Sequence, residues 1–273
     1  MPLVDIDRVS ALVREVGDTV VLPRWRNLGE RDVVEKTGPG DLVTVADRAS
    51  EAALTERLMA LVPAAAVVGE EAVHADPARR RLFDSDGPVW VIDPIDGTSA
   101  FAAGKPDFFV MVALVVARRL VAGWIYAPAS ATLHAAEQGS GAFRTRSAPA
   151  LVERLARPPA PDELSSFRGA IGRRYLSPEE QAAMAACLPR VGPCETALYA
   201  GREYPRLVSG DLDFLIYRRT EPWDHLPGLA IAAEQGFTYC RHDGSAYLPG
   251  MNSGGLVIAP EPWLERVRAA FFA

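Results

Sequence analysis

Trp90-Val-Ile-Asp93-Pro-Ile-Asp96-Gly-Thr98-Ser-Ala-Phe101 decides how this chain is read. Trp90, Val91 and Ile92 form an apolar, partly β-branched run, which marks the end of a buried strand. Two carboxylates follow, Asp93 and Asp96, with Pro94 between them. The proline ring sets its own φ and disfavours helix at Asp93, so the chain must turn before any helix starts. Gly97 and Thr98 then offer backbone N–H groups at a short helix N-terminus. Unpaired amides and the positive end of the helix dipole attract an anion there. Two hard oxygen donors beside an anion-binding turn suit a Mg²⁺ ion that bridges protein and phosphate. A strand that stops at a polar Asp-Gly turn fits the same letters.

The surrounding chain has 273 residues, enough for one large domain or two halves sharing an interface. An apolar content of 49% and a charged content of 23% are those of a globular protein. A net charge of −6 and the lack of a Lys/Arg block argue against a nucleic-acid surface. Part of that acidity is accounted for if some acids are metal ligands. Cys187, Cys194 and Cys240 are odd in number and lack CxxC spacing, which points to a reducing compartment without structural zinc. The first residues lack the basic-then-apolar pattern of a signal peptide. The longest apolar run, Phe108 to Ala117, is too short to span a bilayer. A cytoplasmic protein without membrane contact is expected.

Upstream of the central stretch, Val9, Leu12, Val13, Val16 and Val20 recur at helical spacing between Asp5 and Trp25, and Pro23 closes the segment. Lys36 precedes a Gly/Pro-rich loop, Thr37 to Gly40. A short extended piece then leads into a helix from about Asp47 to Leu61, with Asp47 placed as an N-cap. Ala65 to Val68 reads as a strand running into Gly69-Glu70-Glu71. Successive strand residues face opposite ways, so only one of the glutamates points into a site. Glu70 is the candidate and Glu71 its support; a solvated loop is the plainer reading of both. Residues Ala72 to Gly87 look like a surface excursion.

Downstream, Phe108 to Ala117 and Leu120 to Tyr126 read as an antiparallel strand pair, and Thr132 to Arg144 as a hairpin turned at Gly139-Ser-Gly141. The Pro-rich segment Arg157 to Pro161 is the expected joint. Beyond it, strands at Phe167–Gly172, Asp213–Tyr217, Thr238–Cys240 and Leu256–Ala259 alternate with helices at Pro178–Leu188, Glu195–Val208, Pro222–Gly236 and Pro260–Phe272. The change of pattern suggests two sub-domains, residues 1–150 and 151–273.

Gly69-Glu70-Glu71, Asp93-Pro-Ile-Asp96-Gly-Thr98 and Pro222-Trp-Asp224 occur in this order, with Thr44-Val-Ala-Asp47 upstream. Together they resemble the inositol monophosphatase-like family of Mg²⁺-dependent, lithium-sensitive phosphatases, over nearly the whole chain. The resemblance implies a mixed α/β fold, a layered α-β-α-β-α sandwich shared with fructose-1,6-bisphosphatase, with the metals at the sub-domain junction. It implies that Glu70, Asp93 and the carbonyl of Ile95 bind one Mg²⁺, and that Asp93, Asp96 and Asp224 bind a second. A third, weaker ion near Glu70 is allowed. Thr98, oriented by Asp47, positions or deprotonates the attacking water, and Glu70 joins the catalytic set. The amides of Gly97 and Thr98 hold the phosphate, Lys36 matches a lysine near the site, and Ala200 falls where a backbone contact to substrate is expected. A homodimer acting on a small-molecule phosphate ester is implied.

Residue chemistry agrees with this. Two metals bridged by a carboxylate, beside an amide cradle, stabilise phosphate-ester hydrolysis without a covalent intermediate. No Gly-x-Ser-x-Gly elbow competes, and histidine occurs four times. Several positions depart from the family. Ala100 stands where an asparagine is common. Tyr217, seven residues before Asp224, replaces a glutamate that usually holds inositol hydroxyls. With Arg218 and Arg219 it makes a different pocket edge, which favours a substrate with a second anionic group; solvated surface is the plainer reading of the arginines. His225 is either a neighbour of the metal site or a satisfied structural histidine. Histidinol phosphate, fructose bisphosphate and 3′-phosphoadenosine phosphate stay open as substrates. A regulatory scaffold that kept the fold and binds the transcription machinery is the alternative of another class.

Overall fold

The computed structural model describes residues 4–36, 38, 42–146, 151–174 and 176–272. Thr37 and residues 39–41 of the expected loop, and the expected boundary at residue 150, lie outside them.

Helix α1 (Ile6–Val16) starts at Asp5, whose carboxylate accepts from the amides of Asp7 and Arg8. It buries Val9, Leu12, Val13 and Val16, the periodic stripe read from the sequence. Strands β1 (Val33–Glu35) and β2 (Leu42–Thr44) pair antiparallel. Helix α2 (Val45–Leu61) follows directly. Its N-cap is Thr44 rather than Asp47. Asp47 is the third helical residue and reaches back to the Thr44 amide in a reciprocal capping box. Strand β3 (Ala66–Gly69) ends at a six-residue helix, α3 (Glu70–Ala75). Glu70 and Glu71 therefore begin a helix and do not continue a strand, so strand alternation does not separate them. The expected excursion after them includes a 3₁₀ segment (Pro77–Asp84) that buries Phe83.

The central stretch is β4 (Pro88–Asp96), followed by a single helical turn, α4 (Thr98–Ala102). Then come β5 (Phe109–Val116), β6 (Arg119–Ala127), β7 (Thr132–Glu137), β8 (Gly141–Arg146) and β9 (Leu151–Arg154). They form a seven-stranded sheet in the order β3-β4-β5-β6-β7-β8-β9, parallel only between β3 and β4. Strand β9 pairs with β8 as the last strand of this sheet, and the chain then leaves it through the Pro-rich segment.

The second half supplies β10 (Gly169–Ile171), α5 (Pro178–Cys187), β11 (Cys194–Thr196), α6 (Ala200–Val208), β12 (Phe214–Tyr217), α7 (Pro222–Ala233), β13 (Phe237–Cys240), β14 (Leu256–Pro260) and α8 (Leu264–Phe272). The five strands form a mixed sheet, β11-β10-β12-β14-β13. The helix expected from Glu195 starts only at Ala200, because residues 194–196 pair with β10 as a parallel strand. Tertiary pairing overrides the local helix preference there.

Three apolar cores hold five layers together, one of them packed on both faces of the middle helices. Trp90 and Ile92 of β4 point to α1 and α2, where they meet Leu54 and Leu58 and are joined by Trp124 of β6. Val89 and Val91, on the opposite face, meet Tyr204, Leu226 and Leu229 of α6 and α7. Burial on both faces explains why β4 reads as a continuous apolar run. The same middle layer covers Leu215 and Tyr217, while Phe214 and Ile216 face Val267 and Phe271 of α8. The order is helices, sheet, helices, sheet, helices. Among the described residues no helix is long and apolar enough to cross a membrane.

Helix α7 lies against β6 at Gly123. A Cβ there would sit 2.3 Å from the carbonyl oxygen of Pro227, a backbone atom that cannot swing aside. Gly123→Ala is expected to cost about 1–3 kcal/mol of unfolding free energy. A lowered urea midpoint with an unchanged m-value would show it; an unmoved midpoint would contradict this packing.

Candidate active site

Pro94 cannot donate to a sheet ladder, and the β4–β5 register shifts between Asp93 and Asp96. The strand is therefore irregular where its two acids emerge. Gly97 then takes φ +87°, and a Cβ on it would lie 2.5 Å from the Asp107 carbonyl oxygen. Only glycine fits this close turn. Helix α4 starts at Thr98, whose hydroxyl oxygen lies 3.0 Å from Asp47 Oδ1 and 2.9 Å from the Ile95 carbonyl. One hydroxyl proton cannot serve both acceptors at once.

One cavity collects Glu70 from the start of α3, Asp93 and Asp96 from the end of β4, and Asp224 from the first turn of α7. Ile95, Gly97, Thr98, Ala200 and Tyr217 line it too. The three other expected site residues touch this lining or lie beside it. Asp47 pairs with Thr98, and Lys36 Nζ reaches Glu70 at 2.8 Å and also bonds Glu71. His225 is a satisfied structural histidine. Its Nε2 donates to the Arg219 carbonyl (3.1 Å), which leaves Nδ1 to accept from the Tyr204 hydroxyl (3.2 Å). Burial lowers this ring to about 4, so it stays neutral.

The acids are crowded and desolvated. Asp93 is 2% exposed, and its Oδ1 is buried with no hydrogen-bond partner. Burial first, then the charges of Glu70, Asp96, Asp224 and Asp47, push its carboxyl well above the usual range. Burial and then Asp96 and Glu70 do the same to Asp224. Burial lifts Asp96 and Asp47 to about 7, against backbone amide bonds from Gly201 and Thr44 respectively. Burial opposes the Lys36 ammonium, but Glu70 and Glu71 outweigh it and its shift is upward.

The sequence profile described as the inositol monophosphatase family matches residues 6–271. The chain belongs to the inositol monophosphatase family. It is 33% identical over 235 residues to an inositol-1-monophosphatase of Mycobacterium leprae, covering 83% of this chain and 76% of that one. It is 29% identical over 232 residues to a fructose-1,6-bisphosphatase/inositol-1-monophosphatase of Thermotoga maritima, covering 85% and 82%. A Haemophilus influenzae protein named Nus factor SuhB is 30% identical over 254 residues, covering 90% and 88%. The solved Thermotoga maritima IMPase superposes with a TM-score of 0.78 at 25% identity, over 97% of this chain and 96% of that one. Inositol monophosphatase family members are phosphomonoester hydrolases and are generally metal-dependent.

The donor set fits a hard divalent cation. It consists of oxygens alone, one of them orphaned, on carboxylates that raise one another. It is not a ready-made cage: among the described residues no three His, Cys, Asp or Glu side chains are arranged to hold a metal ion. Glu70 is turned to Lys36, and Asp96 Oδ2 accepts from the Gly201 amide at 2.5 Å.

Sequence reasoning did not single out five neighbours of this site. Glu51 accepts from the amides of Glu71 and Ala72 and so fixes the start of α3. It lies one helical turn after Asp47, on the same buried face of α2, which is the signal that could have found it. Gly201, Arg174, and the Ser99–Tyr199 hydroxyl pair (3.1 Å) carry no such sequence signal.

Millimolar Mg²⁺ is expected to raise the melting temperature by roughly 5 °C or more over the chelator-treated protein. Asp93→Asn should lose most of that rise. Identical thermal scans with Mg²⁺ and with chelator would count against a divalent site.

Proposed function

We propose that this chain is a Mg²⁺-dependent phosphomonoesterase acting on a small phosphorylated metabolite through an activated water. The observation that carries the reading is the meeting of Glu70, Asp93, Asp96 and Asp224, from three separate segments, in one cavity beside the Gly97–Thr98 turn. Glu70, Asp93 and the Ile95 carbonyl would hold one ion, and Asp93, Asp96 and Asp224 a second. When bound, the ions supply positive charge against the phosphoryl oxygens and the departing alkoxide. The amides of Gly97 and Thr98 receive the phosphate. Asp47 accepts from Thr98, so the Thr98 hydroxyl oxygen is turned to accept a proton from the attacking water. Lys36 bonds both Glu70 and Glu71 and so holds Glu70 at the cavity edge.

The relatives' names support inositol phosphate and fructose bisphosphate as substrate candidates. Histidinol phosphate and 3′-phosphoadenosine phosphate remain in the same class. The enzyme works as a homodimer in the cytoplasm, in keeping with its free cysteines. The similarity to the protein named Nus factor SuhB supports a second reading, a regulatory scaffold that kept the fold.

Phosphate release with Mg²⁺ separates the two. Asp93→Asn and Thr98→Ala are each expected to lower kcat by ~100-fold or more. If the wild type is as inert as Asp93→Asn across a broad panel, while a pull-down recovers a transcription protein, the scaffold reading stands instead.

A further inference from the structure

The start of α7 is tied to a second cavity, of about 300 Å³, that shares no lining residue with the acid site. It lies between the 3₁₀ segment (Pro77–Asp84), the β5–β6 turn and the loop from β13 to β14. Arg80, Arg81 and Arg118 line it against one carboxylate, Asp84. Arg81 and Arg118 are exposed and pair with no acid among the described residues. Arg80 Nη2 donates to Glu221 Oε2 at 2.5 Å, while Arg80 Nη1 is buried with no hydrogen-bond partner. Even with Arg80 counted against Glu221, the cations outnumber the acid. The rest of the wall is apolar: Phe83 is buried, and Leu248 stands 43% exposed. Gly250 takes φ +92°, and a Cβ there would lie 2.9 Å from Phe83, so only glycine lets the loop close on that side chain. The loop is itself held. The Met251 amide donates to the Leu248 carbonyl at 3.1 Å, and the Tyr247 hydroxyl donates to the Thr220 carbonyl at 3.2 Å.

A buried guanidinium nitrogen without an acceptor is costly, and a ligand oxygen removes that cost. Guanidinium forks match phosphoryl oxygens, and several around one cavity suit a dianion better than a single negative charge. The apolar wall favours a ligand that carries hydrocarbon as well as charge. We propose that this cavity binds a small molecule with a phosphoryl dianion and an apolar group, and that Arg80 passes its occupancy to α7. The two outer nitrogens of a guanidinium take separate acceptors, so an anion occupies Nη1 without breaking the bond from Nη2 to Glu221. The same guanidinium lies over the Trp223 ring, 4.9 Å from its centroid. Glu221 is the N-cap of α7, and Trp223 precedes Asp224 in the first turn. An anion that fixes Arg80 therefore stiffens the turn that carries Asp224. Binding and coupling both stand apart from the phosphatase reading, because neither uses the chemistry of the acid site.

The test is calorimetric titration of the full chain, in chelator, with phenylphosphonate, which has no ester to hydrolyse. Chelator removes any cation that would draw the probe into the acid site. Saturable binding with a Kd below about 1 mM is expected. Methylphosphonate, lacking the ring, should bind at least about threefold more weakly, and monoanionic benzoate about tenfold. Arg81→Gln/Arg118→Asn should weaken phenylphosphonate at least about tenfold. Both side chains are exposed, and asparagine tolerates the positive φ of Arg118 (+62°), so the fold survives the change. Arg218→Gln, in the acid cavity, should leave binding unchanged. Hydrogen exchange of the α7 first-turn amides should slow by about threefold or more when phenylphosphonate binds the wild type, and not in Arg80→Gln. Absence of saturable binding, or affinity lost in Arg218→Gln and kept in the double variant, overturns the site. Benzoate binding as tightly as phenylphosphonate overturns the phosphoryl assignment. Tight binding with α7 exchange unmoved in the wild type overturns the coupling through Arg80.

Discussion

Mutual repulsion among carboxylates sharing one desolvated cavity is the interaction on which this structure turns. Glu70, Asp93, Asp96 and Asp224 each lose water on folding, and Glu70, Asp96 and Asp224 raise their neighbours. Left to local preference, such groups would separate into solvent. They stay together because rigid elements carry them. Asp93 and Asp96 end a strand buried on both faces, and Asp224 opens a helix packed between two sheets. Compensation comes from a few donors: Lys36 for Glu70, the Gly201 amide for Asp96, and Thr44 for Asp47. Asp93 Oδ1 receives none.

The middle helical layer joins the two halves of the chemistry. It packs on the seven-stranded sheet at Gly123 and on the five-stranded sheet at Leu215 and Tyr217. It also crosses the cavity by two polar contacts, Gly201 to Asp96 and Tyr199 to Ser99. One layer thus sets the distance between the parts of the chain that line the cavity. Stability and site geometry share the same packed side chains, so an overpacked residue near Gly123 affects both.

Much of this was readable in the letters. Periodicity located α1, most of α2, the antiparallel strands after Phe108 and the helices beginning at Pro178 and Pro222. The Asp93–Thr98 run identified the turn, because proline and glycine constrain φ wherever they occur. Other features were hidden. Asp47 looked like an N-cap until Thr44 was seen to take that position. Glu70 and Glu71 looked like strand residues until Glu51, held by α2, was seen to cap the helix they begin. Residues 194–196 looked helical until β10 drew them into a sheet. Each miss has one cause, a partner distant in sequence that decides between two locally acceptable conformations.

By itself the sequence determined which residues could do chemistry and where the backbone must turn. Both depend on side-chain type and on the intrinsic φ limits of glycine and proline, which act over one or two residues. Tertiary structure alone decided that Glu70, Asp93 and Asp224 share one cavity, that Glu51 supports it, and that Tyr217, Arg218 and Arg219 line it. Those relations join residues distant in the chain, and electrostatic and hydrogen-bond energies depend on distance in space, which no local pattern encodes.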